Sequence, residues 1–193
     1  MTESLFRLDG KIAAVTGGTR GIGRAVAIGL AEAGADVALL QRNTSQVDVK
    51  KEIEGHGRTC HIIPCDLSDK DQVKEAIPSV VEAFGRVDIL VNAAGIQRRS
   101  DAVDFSEEDW DDVLNINLKT TWILCQQAGR YMVPNKSGKI INFASLLSYQ
   151  GGIRVPAYAA SKGGVSQLTK ALSNEWAKEG VNVNSVVPGY IAT

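Results

Sequence analysis

Lys11-Ile12-Ala13-Ala14-Val15-Thr16-Gly17-Gly18-Thr19-Arg20-Gly21-Ile22-Gly23 is a short apolar run that breaks into glycines. Lys11 to Val15 predicts a short buried strand, and Arg24 to Ala33, with Ala25, Ile28, Gly29 and Ala31 small or apolar, predicts a helix. A strand, a glycine turn and a helix start in succession aim unpaired backbone N–H groups and the positive helix end at one point, which suits an anion. The spacing is Gly-x-x-x-Gly-x-Gly, neither the Gly-x-Gly-x-x-Gly of long dinucleotide-binding dehydrogenases nor a loop ending in Gly-Lys-Ser/Thr. Taken alone, the stretch is also compatible with a ligand-free turn.

Outward from this turn, apolar β-branched runs alternate with helical patterns. Strands are predicted at Asp36 to Leu40, Thr59 to Pro64, Val87 to Val91, Lys139 to Phe143 and Val181 to Val187. Between them fall helices from Val47 to Glu54, from a Ser68 or Asp69 cap, from Ser106 to about Met132, and from Pro156 to about Lys178. In the helix after Asp69, Val73, Ile77, Val80, Val81 and Phe84 form the buried face. Short connections and strict alternation predict an α/β fold, a doubly wound parallel sheet with helices on both faces. Ligands of such sheets sit beyond the carboxyl ends of the strands. The polar motifs taken up below all lie at such ends or on the helix that follows, which turns the glycine stretch into a pyrophosphate cradle.

At 193 residues and 44% hydrophobic the chain fits one domain, and a net charge of −1 gives no basic surface for nucleic acid or an anionic membrane. No apolar run reaches membrane-spanning length, and residues 1–8 contain no secretory apolar core. Cys60, Cys65 and Cys125 have neither disulfide-like nor metal-ligand spacing, so reduced core positions in an intracellular, cytoplasmic protein are expected. His56 and His61 have no ligand partners nearby and are expected in a loop or on a strand surface.

Tyr158 and Lys162, at i and i+4, share one helix face, with Ser145 thirteen residues upstream. An ammonium beside a phenol favours the phenolate, which suits proton exchange. Alone, the pair is a surface contact, and Ser145 and Asn117 are a turn or cap. The ordered set Thr16-Gly17-x-x-x-Gly21-x-Gly23, Asp66-Leu67, Asn92-Ala93-Ala94-Gly95, Asn117, Ser145, Tyr158-x-x-x-Lys162 and Pro188-Gly189-Tyr190-Ile191-Ala192-Thr193 resembles the short-chain dehydrogenase/reductase family.

That resemblance implies an enzyme that interconverts an alcohol and a ketone with NAD(P). Tyr158 becomes the general acid/base, Lys162 lowers its pKa and holds the nicotinamide ribose, and Ser145 orients the substrate oxygen. Asn117 positions a water that links Lys162 to solvent. Ser145, not Ser148, has the family spacing, and Asn117, not Asn115, stands directly before Leu118. Ala93 departs from the second asparagine common in relatives. Cofactor contacts are implied at Gly17, Thr19, Arg20, Gly21, Ile22, Gly23, Asp66, Leu67, Asn92, Ala93, Gly95, Tyr158, Lys162, Pro188, Gly189, Ile191 and Thr193.

An acid at the end of the second strand bonds the ribose 2′-OH of NAD. Here Gln41 and Arg42 stand there, and with Arg20 they favour the 2′-phosphate of NADP, with NAD as the alternative and a merely solvated Arg42 as the plain reading. The stretches 96–99, 105–113 and 149–156 resemble the family's sugar-acid branch. Arg154 is the first candidate for a substrate carboxylate, Gln150 the next, and Gln97 and Arg98 follow; each also reads as a loop or subunit contact. Ser145 and Tyr158 complete the expected substrate contacts.

Relatives of this kind run past residue 193, so the single domain 1–193 is expected to be incomplete at its C-terminus. Identical subunits, a homotetramer or homodimer, are expected, with Gly163 and Gly164 permitting close helix approach. Two competing readings are another ketone or 3-oxoacyl-thioester reductase of the family and a non-catalytic nucleotide-binding redox sensor. The complete tetrad speaks against the sensor.

Overall fold

The computed structural model describes residues 3–192, so Thr193 lies outside the described residues. Six parallel strands form one sheet in the order β3-β2-β1-β4-β5-β6. They are β1 (Ile12–Thr16), β2 (Asp36–Gln41), β3 (Cys60–Pro64), β4 (Ile89–Asn92), β5 (Gly138–Phe143) and β6 (Val181–Val186). The helices are α1 (Gly21–Glu32), α2 (Asp48–Gly55), α3 (Lys70–Phe84), α4 (Glu107–Leu114), α5 (Thr120–Met132), α6 (Leu147–Gln150) and α7 (Pro156–Trp176).

Two apolar cores cover the two faces, as a doubly wound sheet requires. One packs Ala27, Ile28, Ala31, Val49 and Ile53 of α1 and α2 against Val15, Val37, Leu39 and Val91. The other packs Val73, Ile77, Val80, Leu124, Met132 and Leu172 against Ala14, Leu90, Ile140 and Val183. β1 is buried along its whole length, which explains why its sequence is continuously apolar rather than alternating.

Strand order reverses between β1 and β4, whose registers pair Thr16 with Asn92. The connections therefore diverge there and leave a crevice above the carboxyl ends. Side chains set the helix starts. Asp69 accepts from the Asp71 and Gln72 N–H groups, and Ser106 from that of Asp109. The helix read as one stretch from Ser106 to Met132 is interrupted by a π-helical turn, Asn115–Lys119, between α4 and α5. Cys60, Cys65 and Cys125 are buried and unpaired. His61 is exposed on β3 and packs edge-on against Phe84, and His56 follows the end of α2.

Candidate active site

The crevice opens into a cavity of ≈ 730 Å³, walled by Gly17, Thr19, Arg20, Gly21, Ile22 and Gly23 from the glycine turn. Arg42, Asp66, Leu67, Ala93, Gly95 and Tyr158 also face it, as do Leu40, Gln41, Cys65, Ser68, Ala94, Ile96 and Ile116. The turn lies hard against the loop after β4. Gly17 has φ +67°, and a Cβ there would stand 2.8 Å from the Ala94 nitrogen. A Cβ on Gly23 would strike the Gly17 carbonyl. Thr16 Oγ1 accepts from the Ala94 N–H at 3.2 Å and fastens the two strand ends together. Among the described residues no side chain caps the N-terminus of α1, and Gly21, Ile22 and Gly23 of its first turn line the cavity, where their amides are free to serve an anion. The cradle fits a dinucleotide pyrophosphate because glycines at 17 and 23 let the turn pack backbone against backbone, which leaves main chain rather than side chains along this wall of the cavity.

At the β2 end of the cavity, Gln41 is buried, and its Nε2 donates to the carbonyls of Asn43 (2.6 Å) and Gln46 (2.9 Å). Arg42 is 80% exposed, with Nη1 4.0 Å from Asp66 Oδ2. The Ser68 hydroxyl and amide, donating at 2.7 and 2.9 Å, hold the Asp66 carboxyl below its ordinary pKa, helped by Arg42.

At the other end, Tyr158 is half-buried on the cavity wall near the start of α7. Lys162 lies one turn on, 5% exposed, with Nζ 5.7 Å from the Tyr158 ring centroid. Its Nζ donates to the Phe143 carbonyl at 2.6 Å, and burial pushes its pKa down to about 8. Asn117 sits in the π turn, where its Oδ1 accepts from the Ile96 N–H (2.8 Å). Its Nδ2 donates to the Ile96 carbonyl (2.9 Å) and to Ser161 Oγ (3.1 Å). Asn117 thus clamps the loop after β4 in place. A Cβ at Gly95 would meet both Asn117 Oδ1 (3.2 Å) and Lys162 Nζ (3.5 Å), which places those two groups side by side. Ser145 follows β5; its Oγ accepts from the Leu147 N–H, and its own N–H donates to Ser148 Oγ, both at 3.2 Å.

Other expected residues lie apart from the cavity. Asn92 turns inward, with Nδ2 donating to Asn142 Oδ1 at 2.9 Å. The Pro188 carbonyl accepts from the Leu146 N–H at 3.1 Å, while Gly189 and Ile191 are exposed. Arg154 has φ +63° and pairs with Asp101 at 3.0 Å, and its carbonyl accepts from the Ser100 N–H at 3.2 Å. Arg98 pairs with Asp109 (3.1 Å) and Asp112 (3.8 Å), and Gln97 and Gln150 are exposed. The sequence reading missed Leu40, Cys65, Ser68, Ala94, Ile96 and Ile116 as residues of the cavity wall. Ser68 carried a usable signal, an Asp-x-Ser turn directly after a strand, whereas Ile116 depends on the π turn.

A doubly wound sheet with a glycine cradle at its switch point and, on the same cavity, a tyrosine with a buried lysine beside it defines a nucleotide-dependent oxidoreductase. The chain belongs to the short chain dehydrogenase family, whose pattern matches residues 11–193. It is 49% identical over 190 residues to the 2-dehydro-3-deoxy-D-gluconate 5-dehydrogenase of Pseudoalteromonas atlantica, covering 97% of this chain and 75% of that one. The Escherichia coli enzyme of the same name is 45% identical over 194 residues, covering 100% and 76%. Gluconate 5-dehydrogenase from Burkholderia cenocepacia, solved with NADP and tartrate, superposes with a TM-score of 0.94 at 37% identity, covering 100% and 76%. Among the described residues no helix is long and apolar enough to cross a membrane, and no cluster of His, Cys, Asp or Glu could hold a metal ion.

Proposed function

We propose that the protein interconverts a secondary alcohol and a ketone on a sugar acid such as 2-deoxy-D-gluconate or 2-dehydro-3-deoxy-D-gluconate, using NADP(H). The observation that carries this reading is Tyr158 on the wall of the cavity that the glycine turn closes at its other end. The cofactor, when bound, supplies the acceptor or donor of a hydride. The amides of the turn and of the α1 start would hold its pyrophosphate, and Arg20 and Arg42 would offer two cations for the 2′-phosphate.

For oxidation, Tyr158 Oη takes the proton of the substrate hydroxyl; in the reverse direction it returns the proton to the ketone oxygen. Lys162, fixed on the Phe143 carbonyl, sets a positive charge beneath the phenol. Ser145 Oγ donates to the substrate oxygen and steadies charge that develops there. Asn117 holds the loop after β4 in place through Ile96 and borders the proton exit beside Lys162. Arg154, carried in the segment between Ser145 and Tyr158, takes the substrate carboxylate, exchanging it for its Asp101 partner, and Gln150 serves a hydroxyl. The relatives' names support the sugar acid, and the NADP held by the Burkholderia enzyme supports the cofactor.

Half-exposed Trp110 and Trp122 on α4 and α5 support a homo-oligomer, and three unpaired thiols support a reducing, cytoplasmic compartment. The experiment is nicotinamide absorbance with these sugar acids and their keto forms, comparing NADPH with NADH and including Tyr158→Phe. Turnover that vanishes in Tyr158→Phe while cofactor binding persists is the expected result. Tight cofactor binding with no turnover on any sugar acid would refute the substrate reading.

A further inference from the structure

A chain of buried polar side chains runs behind the catalytic face, through a core of mainly apolar side chains. Asn142 of β5 is 0% exposed. Its Oδ1 accepts from Asn92 Nδ2 at 2.9 Å, and its Nδ2 donates to Thr169 Oγ1 at 3.0 Å. The Thr169 hydroxyl, 5% exposed, in turn donates to the Val165 carbonyl at 2.8 Å. Cys125 Sγ stands 3.5 Å from both Asn142 Oδ1 and Asn92 Nδ2. Buried amides contribute little net stability when paired and cost more when unpaired, and Asn92 Oδ1 has no partner among the described residues. Well-packed apolar side chains would serve stability as well, so the polar chain calls for a role beyond it.

The geometry supplies that role. Thr169 and Lys162 are seven residues apart on α7, two turns along one face. Lys162 is bonded to the carbonyl of Phe143, the residue that follows Asn142. The helix is therefore pinned to β5 at two adjacent residues, once by a strand side chain and once by a strand carbonyl. Between the pins α7 faces the π turn rather than β5: a Cβ at Gly164 would stand 2.8 Å from Leu118 Cδ2, so that contact sets how closely α7 approaches the turn, while the two pins are what tie it to β5.

We propose that Asn142 and Thr169 are positioning residues that set the axial register of α7 on β5 and so hold the Lys162 ammonium on the Phe143 carbonyl, under Tyr158. This rests on the catalytic reading of Tyr158 and Lys162 above. Among the described residues Tyr158 is the titratable group beside Lys162, and Asn117 faces it from the π turn as a neutral amide. A shift of α7 is thus reported by Lys162 itself.

The test uses the full chain, unsubstituted and as Thr169→Val, which keeps the shape and removes the hydroxyl, with Thr169→Ser as the conservative rescue. One readout needs no turnover: the NMR titration of 13Cε-labelled lysine in the cofactor-free protein, with Lys162 assigned through Lys162→Arg. Its midpoint, about 8 in the unsubstituted chain, moves by about half a pH unit in Thr169→Val, a threefold change in proton affinity, and returns in Thr169→Ser. In the second readout kcat falls roughly ten- to a hundredfold, as for a small misplacement of a reacting group, while KM stays within about threefold. An unmoved lysine midpoint with unchanged kcat in folded Thr169→Val overturns the proposal. If Thr169→Val does not fold, Thr169→Cys decides in the same way, its thiol being a poorer partner for Asn142. An unsubstituted chain inactive on sugar acids refutes the substrate reading alone, and the lysine titration still decides this one.

Discussion

Replacing Lys162 with Met should cost the protein its turnover but little of its stability at neutral pH, and the stability difference should change with pH in a defined direction. Lys162 is 5% exposed, and burial lowers its pKa from 10.5 to about 8. The unfolded chain binds this proton more tightly than the folded one, so folding is penalised wherever the lysine is charged in both states. The two and a half pKa units, at 1.36 kcal/mol each, amount to about 3 kcal/mol. That penalty is complete below pH 8 and is relieved as pH rises from about 8 to 10.5. Met removes the penalty at every pH but leaves the Phe143 carbonyl unpaired, at about 1–3 kcal/mol. The two proteins should therefore be nearly equal at pH 7, and the unsubstituted chain should pull ahead by about 3 kcal/mol toward pH 10.5. Urea unfolding followed by tryptophan fluorescence, run on both proteins across this range, reads the difference directly. A difference constant to within about 0.5 kcal/mol would refute the reasoning, because a desolvated ammonium cannot be pH-neutral on folding.

Three further outcomes are expected. Gly17→Ala places a Cβ 2.8 Å from the Ala94 nitrogen at φ +67°, so about 2–5 kcal/mol of stability and more than about tenfold in NADPH affinity should be lost. Urea unfolding and a nicotinamide fluorescence titration check this, and an unchanged Kd would dispose of the cradle. On the proposed contact between the exposed Arg42 and the 2′-phosphate, Arg42→Ala should weaken NADPH by about 1–2 kcal/mol and leave NADH within about twofold. Equal weakening of both cofactors would contradict that assignment. Asn117→Ala removes the bonds at 2.8, 2.9 and 3.1 Å and should cost about 2–4 kcal/mol. Hydrogen exchange at the Ile96 amide should accelerate well beyond that of the β4 core, and equal rates would show that Asn117 is no clamp.

The strands and the glycine turn were legible because each rests on local pattern: continuous apolar runs for a sheet buried on both faces, and glycines where a Cβ would collide. The π turn at Asn115–Lys119 was not, since one extra residue in a helical ladder leaves the apolar spacing around it nearly intact. Its consequence is large: Asn117 lies in the turn, where its amide meets the backbone of Ile96. The short α6 escaped because four residues after a strand offer no periodicity to read. Arg154 shows a different limit: the sequence marked it as a cation four residues before Tyr158, but only the folded chain reveals its Asp101 partner. The Asn142 to Thr169 chain was invisible because a polar residue in an apolar strand announces burial or exposure with equal force until its neighbours are known.

The three thiols give the molecule a set of chemical clocks. Burial pushes Cys60 and Cys125 up to about 12 and Cys65 to about 11, so at neutral pH none presents a thiolate while its surroundings are closed. Modification by an alkylating reagent then waits for an opening, and its rate measures how often that opening occurs. Each clock keeps a different time. Cys60 lies in the core under α1 and α2, Cys125 in the core on the opposite face, and Cys65 borders the dinucleotide cavity. A ligand in the cavity should therefore slow the third clock most, and mass spectrometry of the three peptides would time the two faces of the sheet and the cavity separately, in one tube.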